Sequence, residues 1–191
     1  MKLAHLAWPL VAALALALTG CSPQDAPDNT TAARPAQPFE AVASQGKGFT
    51  VGAMMSANAV YVLFDPQCPH CGRLWEASVP LHSRVKFVWI PVVLGNAKSG
   101  PQGGALLAAA NPAELMAEHE KSILSGGGGI SAIGGVPSEI ERAIKKNTQL
   151  LNSLGVESVP YILAKNSRTG QVVTHTGAMD TPALAEFLGL N

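Results

Sequence analysis

The chain has three cysteines, and two of them, Cys68 and Cys71, lie in the stretch FDPQCPHCGRLW, separated only by Pro69 and His70. Paired sulfurs at this spacing can bind a metal, staple a short loop, or exchange electrons. Structural zinc is four-coordinate and needs two further ligands. No second cysteine pair exists, His70 sits inside the loop, and His82, His119 and His175 show no paired ligand spacing. Haem attachment needs a histidine directly after the second cysteine, where Gly72 stands instead. A structural disulfide closing so short a loop removes little chain entropy. A redox-active pair accounts for every feature of the stretch, with zinc and an inert staple as weaker alternatives.

The redox reading assigns roles. The thiolate is the nucleophile, and an ordinary cysteine is only about 3% ionised at pH 7. Pro69 marks a first helical position, which places Cys68 at the N-cap, where unpaired N–H groups favour an anion. Cys68 is then the attacking sulfur. Cys71, one turn in and more buried, is the resolving sulfur. His70 adds a hydrogen-bond donor or, when protonated, a positive charge. Asp65 reads first as a turn residue before Pro66, and second as an influence on proton transfer to the resolving sulfur. Trp75 and Phe64 flank the site and read as core.

The elements that position the pair are visible around it. Ala59–Phe64, AVYVLF, is a near-continuous apolar run suited to a strand buried on both faces. Val85–Val93 reads as a second strand. Asn111-Pro112-Ala113-Glu114 opens a helix to about Leu124, and Gly126–Gly129 reads as a flexible break. No Lys-Ser/Thr follows those glycines, which argues against a phosphate loop. Ser138-Glu139-Ile140-Glu141 reads as a capping box for a helix that Gly155 closes. Two short strands, Tyr161–Lys165 and Gln171–Thr176, precede a terminal helix from Thr181. The fold class is α/β, a mixed sheet flanked by helices.

The N-terminus bears on compartment. MKLAHLAWPLVAALALALTGC has a lysine, an apolar run of secretory length and small residues before Cys21. Leu18-Thr19-Gly20-Cys21 resembles the lipobox of bacterial lipoproteins. The resemblance implies a signal peptide over residues 1–20 and a lipidated Cys21. Ser22, rather than Asp, follows it, which favours the outer membrane. Residues 21–47 are expected to be a disordered Pro/Ala-rich tether, and residues 48–191 the folded domain. A retained membrane anchor is the alternative. The chain has 191 residues, 47% hydrophobic and 14% charged, with zero formal net charge. That gives one domain's worth of core and no electrostatic support for nucleic-acid binding.

The active-site stretch resembles that of the periplasmic thiol:disulfide interchange proteins of the DsbC and DsbG type, which have a thioredoxin-like fold. A segment at about 100–154 resembles their helical insertion. LGVESVPYI resembles their cis-proline loop, which makes Pro160 the cis-proline and, with Val159, a binder of extended substrate backbone. The resemblance implies a thiol:disulfide oxidoreductase of the periplasm that needs no cofactor or metal. It acts on proteins with cysteines or disulfides and is reset by a DsbD-like or DsbB-like membrane partner. Two departures matter. The Pro69-His70 dipeptide is that of strongly oxidising DsbA-type enzymes. No dimerisation domain is expected before the first core strand, so a monomer is expected, and simple oxidoreductase activity is favoured over isomerase activity. A reductase of sulfenylated or mispaired cysteines, and a non-catalytic assembly lipoprotein, are the competing functions.

Overall fold

The computed structural model describes Pro35, residues 37–132 and residues 135–191. The expected signal peptide and Cys21 lie outside the described residues. The core is a five-stranded sheet in the order β1-β3-β2-β4-β5, formed by Phe49–Gly52 (β1), Ala59–Phe64 (β2), Lys86–Pro91 (β3), Tyr161–Lys165 (β4) and Val172–Thr176 (β5). The central strand β2 runs parallel to β3 and antiparallel to β4, while β1 and β5 pair antiparallel at the edges. This is the mixed sheet that the sequence predicts.

The apolar run of β2 is explained by two covered faces. Val60, Val62 and Phe64 join Phe87, Trp89 and Ile162 on one face. Leu63 joins Ile90, Tyr161 and Leu163 on the other. Alternate residues of one strand enter different cores, so neither set can be polar. The first core is covered by α2 (Pro69–Ser78), α4 (Pro112–Leu124) and α6 (Thr181–Phe187), and holds Trp75 edge-on against Trp89 with ring centroids 5.3 Å apart. The second is covered by α1 (Pro38–Gln45) and α5 (Ser138–Ser153). Helix α3 (Ser99–Ala108) packs on α4 and α5, so helices fill the chain between β3 and β4.

Three local expectations need correction. The disorder expected through residue 47 does not extend over Pro38–Gln45, which is helix α1 with Phe39 and Val42 buried. Phe39 packs edge-on against Tyr61 at 5.3 Å, and that apolar contact orders the segment. Ser138 is not an N-cap. The cap is Pro137, which makes no side-chain bond, and Ser138 is the first helical residue. Gly126–Gly129 is not a loose break. Ser122 Oγ accepts from Gly129 N at 3.2 Å, and Gln102 Nε2 donates to Gly128 O at 2.9 Å. Helix α3 falls within the segment at about 100–154 that resembles a helical insertion, though no local cap or periodicity marks its bounds. Gly104 there faces Val136 so closely that a Cβ would stand 2.6 Å from its methyl carbons, a closeness only glycine allows.

Candidate active site

Strand β2 delivers the chain to the site and Asp65 turns it. The Asp65 carbonyl accepts from Cys68 N at 3.0 Å. Its carboxylate accepts from Gln67 N (2.8 Å), Leu94 N (2.7 Å) and Ser99 Oγ (2.5 Å). His119 Nε2 donates to the Pro66 carbonyl at 2.7 Å while Nδ1 accepts from Ile130 N, so the turn is held from α4 as well. Burial pushes the His119 pKa down, in keeping with a neutral ring between one acceptor and one donor.

Cys68 is the N-cap of α2 and Pro69 its first residue. The sulfur is partly exposed and Cys71 is fully buried; both are free thiols. The Cys68 pKa is lowered to about 6. The largest cause is the Cys71 thiol, which donates to the Cys68 sulfur; burial opposes it. The N–H groups of Cys71 and His70 and the His70 ring follow. Cys71 N closes the first helical turn on the Cys68 carbonyl at 3.0 Å, so its effect on the sulfur is that of a partial positive charge nearby. His70 is exposed, and its Nδ1 accepts from Arg73 Nη1 at 3.2 Å. Cys71 moves the other way. Burial raises its pKa well above the usual thiol range, and the Cys68 sulfur and Glu120 add to this.

The β4 side completes the site. The Val159–Pro160 peptide is cis, and the Val159 carbonyl accepts from Cys68 Sγ at 3.6 Å. A groove of about 420 Å³ runs beside Cys68, lined by Gln67, Leu94, Asn96, Glu157, Ser158 and Val159. Cys68, Pro69, His70, Cys71 and Val159 therefore meet in one place. Phe64 and Trp75 are buried in the core and do not reach the groove.

Sequence reasoning missed Glu120. It is 1% exposed, and its pKa is raised to about 9, first by burial and then by the charges of Cys68 and Glu76. The signal was present. Met116, Glu120 and Ile123 fall at i, i+4 and i+7 of α4, so an acid stands on the helix's apolar stripe.

The arrangement has counterparts. Over 140 residues the chain is 27% identical to the thiol:disulfide interchange protein DsbG of Pseudomonas aeruginosa, covering 72% of this chain and 54% of that one. The chain is similar to DsbG. Over 134 residues it is 28% identical to the Escherichia coli DsbG, covering 68% of this chain and 52% of that one. It spans about half the length of these curated relatives. No family model matches it. Proteus mirabilis ScsC in a compact conformation superposes with a TM-score of 0.64 at 15% identity, covering 84% of this chain and 81% of that one. The thiol-disulfide exchange protein alpha-DsbA2 of Wolbachia pipientis gives 0.61 at 19%, covering 79% and 92%. A periplasmic thioredoxin-like protein of Salmonella enterica serovar Typhimurium gives 0.60 at 16%, covering 81% and 95%. The fold is thioredoxin-like.

Proposed function

We propose that this protein is a thiol:disulfide oxidoreductase of the bacterial periplasm, acting on proteins through Cys68 and Cys71. One observation carries the reading: an accessible sulfur with its pKa lowered to about 6 stands at the N-cap, while its partner is buried and raised. Such a split makes one sulfur the nucleophile and leaving group and keeps the other a thiol until it is needed.

The electrons balance in both directions. The Cys68 thiolate attacks a disulfide in a partner protein, forms a Cys68–partner bond and expels the partner's second sulfur as a thiolate. Cys71 then attacks Cys68 Sγ, forms the Cys68–Cys71 disulfide and releases the partner's other sulfur. The partner gains two electrons and the pair loses two. Run backwards, the disulfide oxidises a partner dithiol. The groove beside Cys68 and the Val159 carbonyl give an extended partner segment a place next to the sulfur. Pro160 holds that segment's side of the site.

DsbG-type relatives and a periplasmic structural neighbour support an envelope location. We read Cys21 as the lipidated residue and the chain after it as a tether to the outer membrane. A DsbB-like or DsbD-like partner would reset the pair according to direction. Cys68 near 6 lies between the strongly oxidising and the reducing members of such motifs, whose pKa values run from roughly 3.5 to 7.

Alkylation of Cys68 as a function of pH tests the reading. An inflection near 6 is expected, and a sulfur as sluggish as an ordinary thiol would sink it. The reduction potential then gives direction, with about −120 mV marking an oxidant and about −270 mV a reductant.

A further inference from the structure

The groove beside Cys68 carries a charge of its own. Two acids line it, and they differ. Asp65 is buried, and its carboxylate already accepts three hydrogen bonds. Glu157 is exposed and enters no ion pair among the described residues. Among those residues no lysine, arginine or histidine lines the groove. Glu157 therefore sets an open negative charge in the same groove as the nucleophile.

The neutral groups agree with it in sign. Gln102 Nε2 donates to two backbone carbonyls, Gly128 O and Ile130 O, both at 2.9 Å. A carbonyl can only accept, so the Gln102 amide has one orientation, with its Oε1 turned to Gln67. Gln67 Nε2 donates to that oxygen at 2.6 Å and to Gly128 O at 3.0 Å. Both hydrogens of the Gln67 amide are thus spent away from the groove. Its Oε1 is left with Asn96 Nδ2 at 3.5 Å, the outer limit of a hydrogen bond. The Val159 carbonyl is a further acceptor, and Cys68 Sγ bonds to it only while that sulfur carries its proton. Leu94, 42% exposed, adds an apolar wall.

Open acceptors, one negative charge and an apolar wall fit a lysine or arginine side chain. Its aliphatic stem lies well on apolar surface, and its head only donates. An acidic side chain would meet the Glu157 carboxylate and the Cys68 thiolate with like charge. We propose that this groove selects partner segments that carry a lysine or arginine beside the reacting cysteine, and that Glu157 decides the preference. This rests on the exchange reading above and names the substrate class of that same site. The formal net charge of the chain is zero, so the field of the whole protein would not give the same preference.

The test is reaction of the reduced full chain with disulfide-bonded peptides that differ only in the residue beside the cysteine, Lys or Glu. Each rate is divided by that of mercaptoethanol with the same peptide, which removes the neighbour's effect on the peptide's own disulfide. At low salt the Lys peptide should react about fivefold faster than the Glu peptide. Glu157→Gln should bring that ratio close to one, and Glu157→Lys should invert it. Salt at about 0.5 M should shrink the ratio in the unsubstituted protein, which tests the charge without any substitution. A ratio near one at low salt, a ratio indifferent to salt, or the same ratio in all three proteins overturns the proposal. Reaction with both peptides as slow as that of an ordinary thiol would instead defeat the exchange reading, so the two failures are distinct.

Discussion

The two faces of the sheet each bury a polar helix side chain, and only one of that pair is satisfied. On the α1/α5 face, Asn147 of α5 is fully buried and satisfied. Its Oδ1 accepts from Lys47 N at 2.9 Å, and its Nδ2 donates to Lys47 O (2.8 Å) and Pro91 O (3.0 Å). That set ties the link between α1 and β1 to α5 and to the end of β3. On the α2/α4 face, Glu120 is just as buried and bonds to nothing. A satisfied amide locks structure, while an acid with no partner is a standing cost to the fold. The difference teaches where the molecule can be altered without touching the reaction.

The largest expected effect is on the reactive face. Cys68→Ala should abolish disulfide exchange with peptide or protein substrates. Cys71→Ala should keep the first attack and accumulate mixed disulfides, visible as adducts on a non-reducing gel. Equal residual exchange in Cys68→Ala would end the division of labour between the sulfurs.

Next comes the quiet face. Asn147→Ala would leave the Lys47 and Pro91 backbone groups without partners, costing about 3 kcal/mol in urea unfolding. The rate of Cys68 alkylation in the folded state should not change. A slowed alkylation rate would show that the two faces are coupled rather than separate.

These contrasts were legible in the sequence to different depths. The apolar run of β2, the proline after Cys68 and the Asn111 cap each act within a few residues, and each has its expected place: β2 is Ala59–Phe64, α2 begins at Pro69, and the Asn111 side chain accepts from Glu114 N. Helix α3, SGPQGGALLA, has three glycines and a proline, so its intrinsic preference is against a helix. It forms because its glycines admit Pro91 and Val136 at close range, a tertiary fact. β1 is only four residues long, and α1 is held by Phe39 against Tyr61 across the fold. Asp65 reads as a turn residue from its neighbours, yet nothing local shows that Leu94 and Ser99 saturate its carboxylate. Those two partners lie far along the chain, and with Gln67 N they decide for the turn reading.

A third expected effect is smaller and turns on pH. Glu120 has a folded-state pKa near 9, above the ordinary carboxylate range. Its contribution to stability is therefore full below the unfolded pKa and is lost as pH rises toward 9. Cys68 is lowered to about 6, so its contribution is present in the ordinary thiol range and above and is lost as pH falls through 6. In the reduced protein the two oppose each other between about 6 and 9. Disulfide formation removes the Cys68 titration. Unfolding of the disulfide form should then show a loss with rising pH that Glu120→Gln flattens, an effect on the order of a few kcal/mol at most.

The smallest effect separates the causes of the Cys68 shift. The Cys71 thiol is the first cause and the His70 ring the last. Cys71→Ala should therefore raise the Cys68 pKa more than His70→Ala does, as read from the pH dependence of alkylation. His70 is exposed, and its Nδ1 already accepts from Arg73, so water screens it and its ring spends one nitrogen elsewhere. The helix start remains in both variants, since Pro69 and the backbone N–H groups are untouched, so neither should return Cys68 fully to an ordinary thiol. If His70→Ala moved the pKa more than Cys71→Ala, the exposed ring rather than the buried sulfur would be setting the nucleophile. The reactive face would then be tuned from its surface and not from its core.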